Sequence, residues 1–253
     1  MKGPLAGRHA FVTGAGSGIG AAVARALVAR GVRVSLAGRR VAKLEETAAT
    51  LGALAGAIVP LDVTDADAVT RAVSTLDPID ILVNNAGRAI SAPFAKTDPA
   101  MFDEMLAVNL RSVYLVTRAV LPAMIARGHG GRIINVASIA GLVGHAYVTA
   151  YVAAKHGVVG LTKALAAELV GTAITVNAVC PGYTDTPMVH DNAERVAHKT
   201  KLSAADAVSR MAESNPGGQM ITPDEVAHTV VWLAEPGASA VNGQAIVVAG
   251  GAL

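Results

Sequence analysis

Ser138, Tyr151 and Lys155 are side chains that together could reduce a carbonyl or oxidise an alcohol. Tyr151 and Lys155 are four residues apart, so on a helix they share one face. A free phenol titrates near pH 10, too high for easy proton exchange at neutral pH, and a nearby ammonium favours the phenolate. The spacing therefore predicts that Lys155 draws the Tyr151 pKa down and makes it an acid/base. Ser138 follows a β-branched run, which would put its hydroxyl at the carboxyl edge of a sheet, in reach of a substrate carbonyl.

Upstream lies Thr13-Gly14-Ala15-Gly16-Ser17-Gly18-Ile19-Gly20. A strand-like run precedes it and a helical run follows, the setting in which such glycines cradle a dinucleotide. Gly14 can turn tightly, Gly18 lets backbone approach a pyrophosphate, and Gly20 lets the helix pack on the sheet; Ser17 and Ile19 lie in the same cradle. The helix N-terminus adds N–H groups and a positive dipole end. The next strand ends Leu36-Ala37-Gly38-Arg39-Arg40, with no acid to bond the ribose hydroxyls of NAD, and Glu45 and Glu46 come well inside the following helix. Arg39 or Arg40 could grip a 2′-phosphate with charge-assisted bonds. NADP(H) is the expected cofactor and NAD(H) the alternative.

These residues need a scaffold. Short β-branched runs predict seven strands at 9–13, 32–37, 57–60, 81–84, 132–137, 174–179 and 245–248. Ala-rich runs predict helices near 18–30, 41–52, 66–76, 98–127, 150–169 and 223–234. The strands are apolar almost throughout, as expected when helices cover both faces of a parallel sheet. The rhythm persists through all 253 residues, predicting an α/β chain with one doubly wound Rossmann domain. The polar stretch 186–218 breaks the rhythm with Asp191, Asn192, Glu194, Arg195, His198 and Lys199. It is expected to form one or two short helices as a substrate lid over the crevice.

Hydrophobic residues make up 52% of the chain and charged residues 16%, which also suggests apolar surface shared between subunits. Twenty-one basic against 19 acidic residues, with no basic run, argue against nucleic acid as a partner. Cys180 is the only cysteine, so no internal disulfide can form. The start Met1-Lys2-Gly3-Pro4 lacks the apolar core of a signal peptide, and no run reaches the ~18 apolar residues of a membrane span. A cytoplasmic protein is expected. The seven histidines show no metal-ligand spacing, so no catalytic metal is expected.

Taken together, Thr13-Gly14-x-x-x-Gly18-x-Gly20, Asp62-Val63, Asn84-Asn85-Ala86-Gly87, Asn109, Ser138, Tyr151-x-x-x-Lys155 and Pro181-Gly182-x-x-x-Thr186 resemble the short-chain dehydrogenase/reductase family over essentially the full length. The resemblance implies that Asp62 and Val63 contact the adenine. Asn84, Asn85, Ala86 and Gly87 would lie beside the adenosine ribose and brace the sheet. Asn109 would hold a water in a proton relay to Lys155, which would also bond the nicotinamide ribose. Beyond Pro181 and Gly182, the Thr184 backbone and Thr186 side chain would fix the carboxamide. It also implies a homotetramer and a reversible reaction on a small carbonyl or alcohol, most simply the NADPH-linked reduction of a 3-oxoacyl-type ketone. Tyr151 to Gly157 and Cys180 to Tyr183 locally resemble the family's 3-hydroxybutyrate and 3-hydroxyacyl dehydrogenases, which keeps an NAD-linked oxidation as the alternative. A nucleotide sensor without catalysis is a third possibility, against which the intact Asn109, Ser138, Tyr151 and Lys155 set argues.

The substrate pocket is expected from Ser138, Ala140, Leu142, His145, Tyr147, Tyr183 and Met188. Tyr147 has Tyr151, not a lysine, four residues on, so it lacks an activator and is read as pocket lining. His156 is expected in the core, Cys180 as a buried small side chain, and Trp232 in the core or a subunit contact.

Overall fold

The computed structural model describes residues 3–200 and 202–252; Met1, Lys2 and Leu253, and Lys201 within the expected lid, lie outside them. Seven strands, β1 (His9–Thr13), β2 (Arg33–Gly38), β3 (Ala55–Pro60), β4 (Ile81–Asn84), β5 (Gly131–Val136), β6 (Ile174–Pro181) and β7 (Ala245–Val248), form one sheet. Its order is β3-β2-β1-β4-β5-β6-β7 and every pairing is parallel. The order reverses between β1 and β4, which opens a crevice at their carboxyl ends.

Alternation along the strands feeds two cores. Val12, Ile81, Val83, Ile134 and Val179 face one side, where α1 (Gly18–Val28), α2 (Val41–Ala49) and α9 (Pro223–Ala234) pack. Phe11, Leu82, Ile133 and Val176 face the other, under α3 (Ala66–Ser74), α5 (Ser112–Arg127) and the C-terminal part of α6 (Thr149–Glu168). Both faces being covered explains why central strands such as β1 and β6 are buried at every position.

The expected helix over 98–127 is not uniform. It is α4 (Pro99–Leu106), one π-helical turn at Ala107–Arg111, then α5. Ser112 N–H bonds the Ala107 carbonyl five residues back, the signature of that turn. The stretch 186–218 forms two short helices, α7 (Pro187–Lys199) and α8 (Ala204–Glu213). His156 departs from expectation, being exposed, and Trp232, 43% exposed, lies outside the core, which leaves the subunit-contact reading. His156 stands on the outer face of α6, one step past buried Lys155, and its ring bonds the Val152 carbonyl at 3.0 Å. Cys180 is buried as expected, and burial pushes its thiol up to about 11.

Candidate active site

The glycine turn is built by contacts that a side chain would destroy. A Cβ on Gly20 would stand 2.3 Å from the Gly14 carbonyl oxygen, and Gly14 itself has φ +65°. Gly20 therefore packs helix on turn and does not reach the cleft wall. Asn85 clamps the turn from the β4 side: its Nδ2 donates to the Thr13 and Gly14 carbonyls at 3.0 and 3.2 Å. Thr13 Oγ1 in return accepts from Asn85 and Ala86 N–H at 3.0 and 3.1 Å. Ser17 caps α1 with no side-chain bond, so the first N–H groups of that helix remain open to a ligand.

From this turn a cleft of about 940 Å³ runs across the carboxyl ends of the strands. Gly14, Ser17, Gly18 and Ile19 line one end with Arg39, Arg40, Asp62 and Val63; Asn85, Ala86 and Gly87 lie midway; Asn109, Ser138, Tyr151, Lys155, Pro181, Gly182, Thr184, Thr186 and Met188 line the rest. The volume is at the upper end of the ~300–1,000 Å³ of small-molecule sites. The end near β2 is cationic. Arg40 reaches Ser17 Oγ at 3.4 Å, and the Arg39 charge, after two hydrogen bonds from Thr64, helps hold the Asp62 carboxyl below its usual range. Lys43, in the first turn of α2 and bridged to Glu46 at 2.7 Å, joins this group.

At the opposite end, Ser138 Oγ accepts from Ala140 N–H at 3.1 Å, which leaves its own proton free to donate. Ser138 and Tyr151 line the same stretch of the cleft. Lys155 is buried, donates to the Val136 carbonyl at 2.8 Å, and lies 5.6 Å from the Tyr151 ring centre. Here the simple expectation for Tyr151 fails. Desolvation by burial pushes its phenol up to about 12, against the Ser138 hydrogen bond that lowers it. Lys155 sits toward the ring face, not the hydroxyl, and its own pKa is pushed down to about 8 by the same loss of water.

Asn109 stands in the π-helical turn, fully buried. Its side chain is spent on backbone: Oδ1 accepts from Arg88 N–H at 3.0 Å, while Nδ2 donates to the Arg88 and Met105 carbonyls at 2.8 and 3.0 Å. It thus clips the Asn85–Arg88 loop to the α4–α5 junction. Arg88 pairs with Glu104 at the cleft rim, a contact the sequence did not suggest.

Several expected site residues stand elsewhere. Asn84 is buried behind the wall, donating to Thr117 Oγ1 at 3.0 Å and Asn135 Oδ1 at 2.9 Å; it braces β4 against β5 and α5. Ala140 is buried behind Ser138. His145, Tyr147 and Tyr183 are absent from the cleft lining. Tyr147 turns outward with 65% exposure and takes a left-handed φ of 67°, while its carbonyl accepts from Ala92 N–H at 2.8 Å. Tyr183 is partly buried, and its phenol is raised by desolvation. Among the described residues no cluster of metal-binding side chains occurs, and no helix is long and apolar enough to cross a membrane.

A chain with this sheet and this cleft has many counterparts. The family model described as short chain dehydrogenase matches residues 8–197. The "Putative ketoacyl reductase" of Streptomyces coelicolor is 41% identical, over 96% of this chain and 95% of the relative. The D-beta-hydroxybutyrate dehydrogenase of Cupriavidus necator is 40% identical, over 94% and 95%. A crystal structure of a variant of actinorhodin polyketide ketoreductase with NADPH superposes with a TM-score of 0.92, at 39% identity, over 100% of this chain and 99% of the other. The protein belongs to the short-chain dehydrogenase family, as oxidoreductases acting between C=O and CH–OH.

Proposed function

We propose that the protein is an NADPH-linked ketoreductase that reduces a 3-oxoacyl-type ketone to a secondary alcohol. One observation carries this reading: Ser138, Tyr151 and Lys155 share one cleft with an uncapped helix N-terminus and the Arg39–Arg40–Lys43 cations. The residues fit NADP(H). Gly14 and Gly18 give a floor without side chains, a Cβ on Gly18 coming within 3.0 Å of Thr186, and the cations suit a 2′-phosphate. Asp62 and Val63 would flank the adenine, with Thr184 and Thr186 at the carboxamide. A ketoacyl reductase and an NADPH-bound ketoreductase among the similar proteins support the same choice.

Bound NADPH supplies the hydride, chemistry the chain itself lacks. The chain's part is to hold the ketone oxygen and give it a proton. Ser138, with its oxygen engaged by Ala140 N–H, donates toward the carbonyl oxygen. Tyr151, kept protonated by burial, transfers its proton to that same oxygen as negative charge builds there. Lys155 stabilises the resulting phenolate through its charge, and Asn109 holds the Asn85–Arg88 wall of the cleft beside it. The segment 186–218 acts as the lid, α7 presenting Met188 to the cleft.

The test is a panel of ketones and alcohols run with NADPH and NADH. Turnover of 3-oxoacyl thioesters with NADPH, in preference to NADH, is expected. Binding of NADPH with no turnover on any carbonyl would refute it. The similarity to D-beta-hydroxybutyrate dehydrogenase supports one second reading, NAD-linked oxidation of a 3-hydroxy acid; faster turnover of 3-hydroxybutyrate with NAD would select it. We further propose a cytoplasmic homotetramer. The family resemblance supports the assembly, and Trp232 and Val247 stand 43% and 37% exposed on α9 and β7. A monomer by light scattering would refute the assembly.

A further inference from the structure

Asn215 lies just past α8, at the far end of the lid segment, and is 1% exposed. Its amide spends every strong bond on backbone. Oδ1 accepts from Tyr183 N–H at 3.0 Å, and Nδ2 donates to the Tyr183 and Gln219 carbonyls, each at 2.8 Å. One side chain thus pairs both backbone groups of Tyr183, as a neighbouring strand would. The pairing continues in the main chain: Ile221 N–H bonds the Tyr183 carbonyl at 2.9 Å, and Asp185 N–H bonds the Ile221 carbonyl at 2.8 Å. The fit has no slack, since a Cβ on Gly182 would come within 2.6 Å of Asn215 Oδ1.

Tyr183 is flanked by Gly182 and Thr184, which line the catalytic end of the cleft. We infer that Asn215 is a positioning residue for the nicotinamide half of the cofactor: it joins the two ends of the lid and fixes the backbone of 182–184 at the cleft wall. This rests on the NADP(H) reading above. The amide is required, because a carboxylate of the same shape would lose two donors and face two carbonyl oxygens.

The test compares Asn215→Asp with the parent for binding of NADPH and of 2′,5′-ADP, which carries only the adenosine half. Asn177→Asp is the control: buried Asn177 clips β6 with the same chemistry, donating to the Val241 carbonyl at 2.7 Å and accepting from Gln244 N–H at 3.0 Å, away from the cleft. Both variants should melt lower. Only Asn215→Asp should bind NADPH about tenfold more weakly, the scale of a buried pairing lost, with 2′,5′-ADP unchanged within about twofold. Equal weakening of both probes, or unchanged NADPH binding, would overturn the inference. A parent that ignores 2′,5′-ADP and takes NADH refutes the cofactor reading instead; NADH against ADP then gives the same ratio for Asn215.

Discussion

At the amino edge of the sheet His9 is buried with both ring nitrogens bonded, whereas at the carboxyl edge half-buried Tyr151 lines the cleft and buried Lys155 holds one carbonyl, that of Val136. His9 Nδ1 lies 3.1 Å from the Asp77 and Pro78 carbonyls, so it carries the proton; Nε2 then accepts from Ser35 Oγ at 2.8 Å. Outside this set, Arg8 and Arg127 reach Asp80 at 3.3 and 3.5 Å, and Arg33 reaches Asp77 at 2.6 Å. At the amino edge Arg8, Arg33 and Arg127 find Asp77 and Asp80, while Arg132 bonds the Gly131 and Ala173 carbonyls. The carboxyl edge holds groups whose remaining capacity is complete only when something else fills the cleft. Burial costs free energy at both edges; one edge recovers it in folding, the other in turnover.

The contrast is broken most severely at Tyr151. Tyr151→Phe should cut kcat about 10²–10⁴-fold, the usual share of a positioned acid, with the melting temperature essentially unchanged. Substantial residual turnover would remove Tyr151 from the proton's path. Lys155→Met comes next: an activity loss of about 10²-fold, in a protein that melts no lower than the parent, because a desolvated cation has been removed. A large fall in melting temperature would mean the Lys155–Val136 bond holds the fold. Arg39→Asp is smaller. The arginine is exposed, so the NADPH-to-NADH ratio of kcat/KM should fall about tenfold at low salt and less as salt rises; an unchanged ratio would move the phosphate site to other residues.

The smallest effect sharpens the amino edge. Burial, aided by the Arg33 charge, lowers the His9 pKa below 6.5, so the native state holds fewer protons than the unfolded chain in acid. Stability from this group is complete above pH ~6.5 and falls as the pH drops from there toward the native value, by at most ~1.4 kcal/mol per pH unit. Denaturant titrations between pH 7 and 5 should show that slope in the parent and a weaker one in His9→Gln. Equal slopes would assign the acid sensitivity to other groups.

Strands were legible because covering both sheet faces leaves a strong apolar signal, and the Gly14–Gly20 and Tyr151–Lys155 patterns were legible because their geometry is local. What stayed hidden depends on partners far away in sequence. Asn215 reads as a lid residue until the fold brings it beside Tyr183, 32 positions earlier. Tyr147 reads as pocket lining because it neighbours Tyr151, yet its backbone turns it outward. Spacing shows that Lys155 shares the helix face of Tyr151, but not that the ammonium lies over the ring and bonds the Val136 carbonyl.

The π-helical turn at Ala107–Arg111 makes this site sensitive to chain length as well as to side-chain identity. That turn holds one residue more than a regular α-helix would, and Asn109 sits within it. Deleting a single neighbour would give α4 and α5 one regular, intrinsically better helix, and would rotate Asn109 by about 100° relative to one flank. Its clip on Arg88 would open although no site residue had been replaced. For this enzyme an indel of one residue, silent by any measure of helix propensity, should undo the clip on Arg88 as fully as a substitution of Asn109 itself.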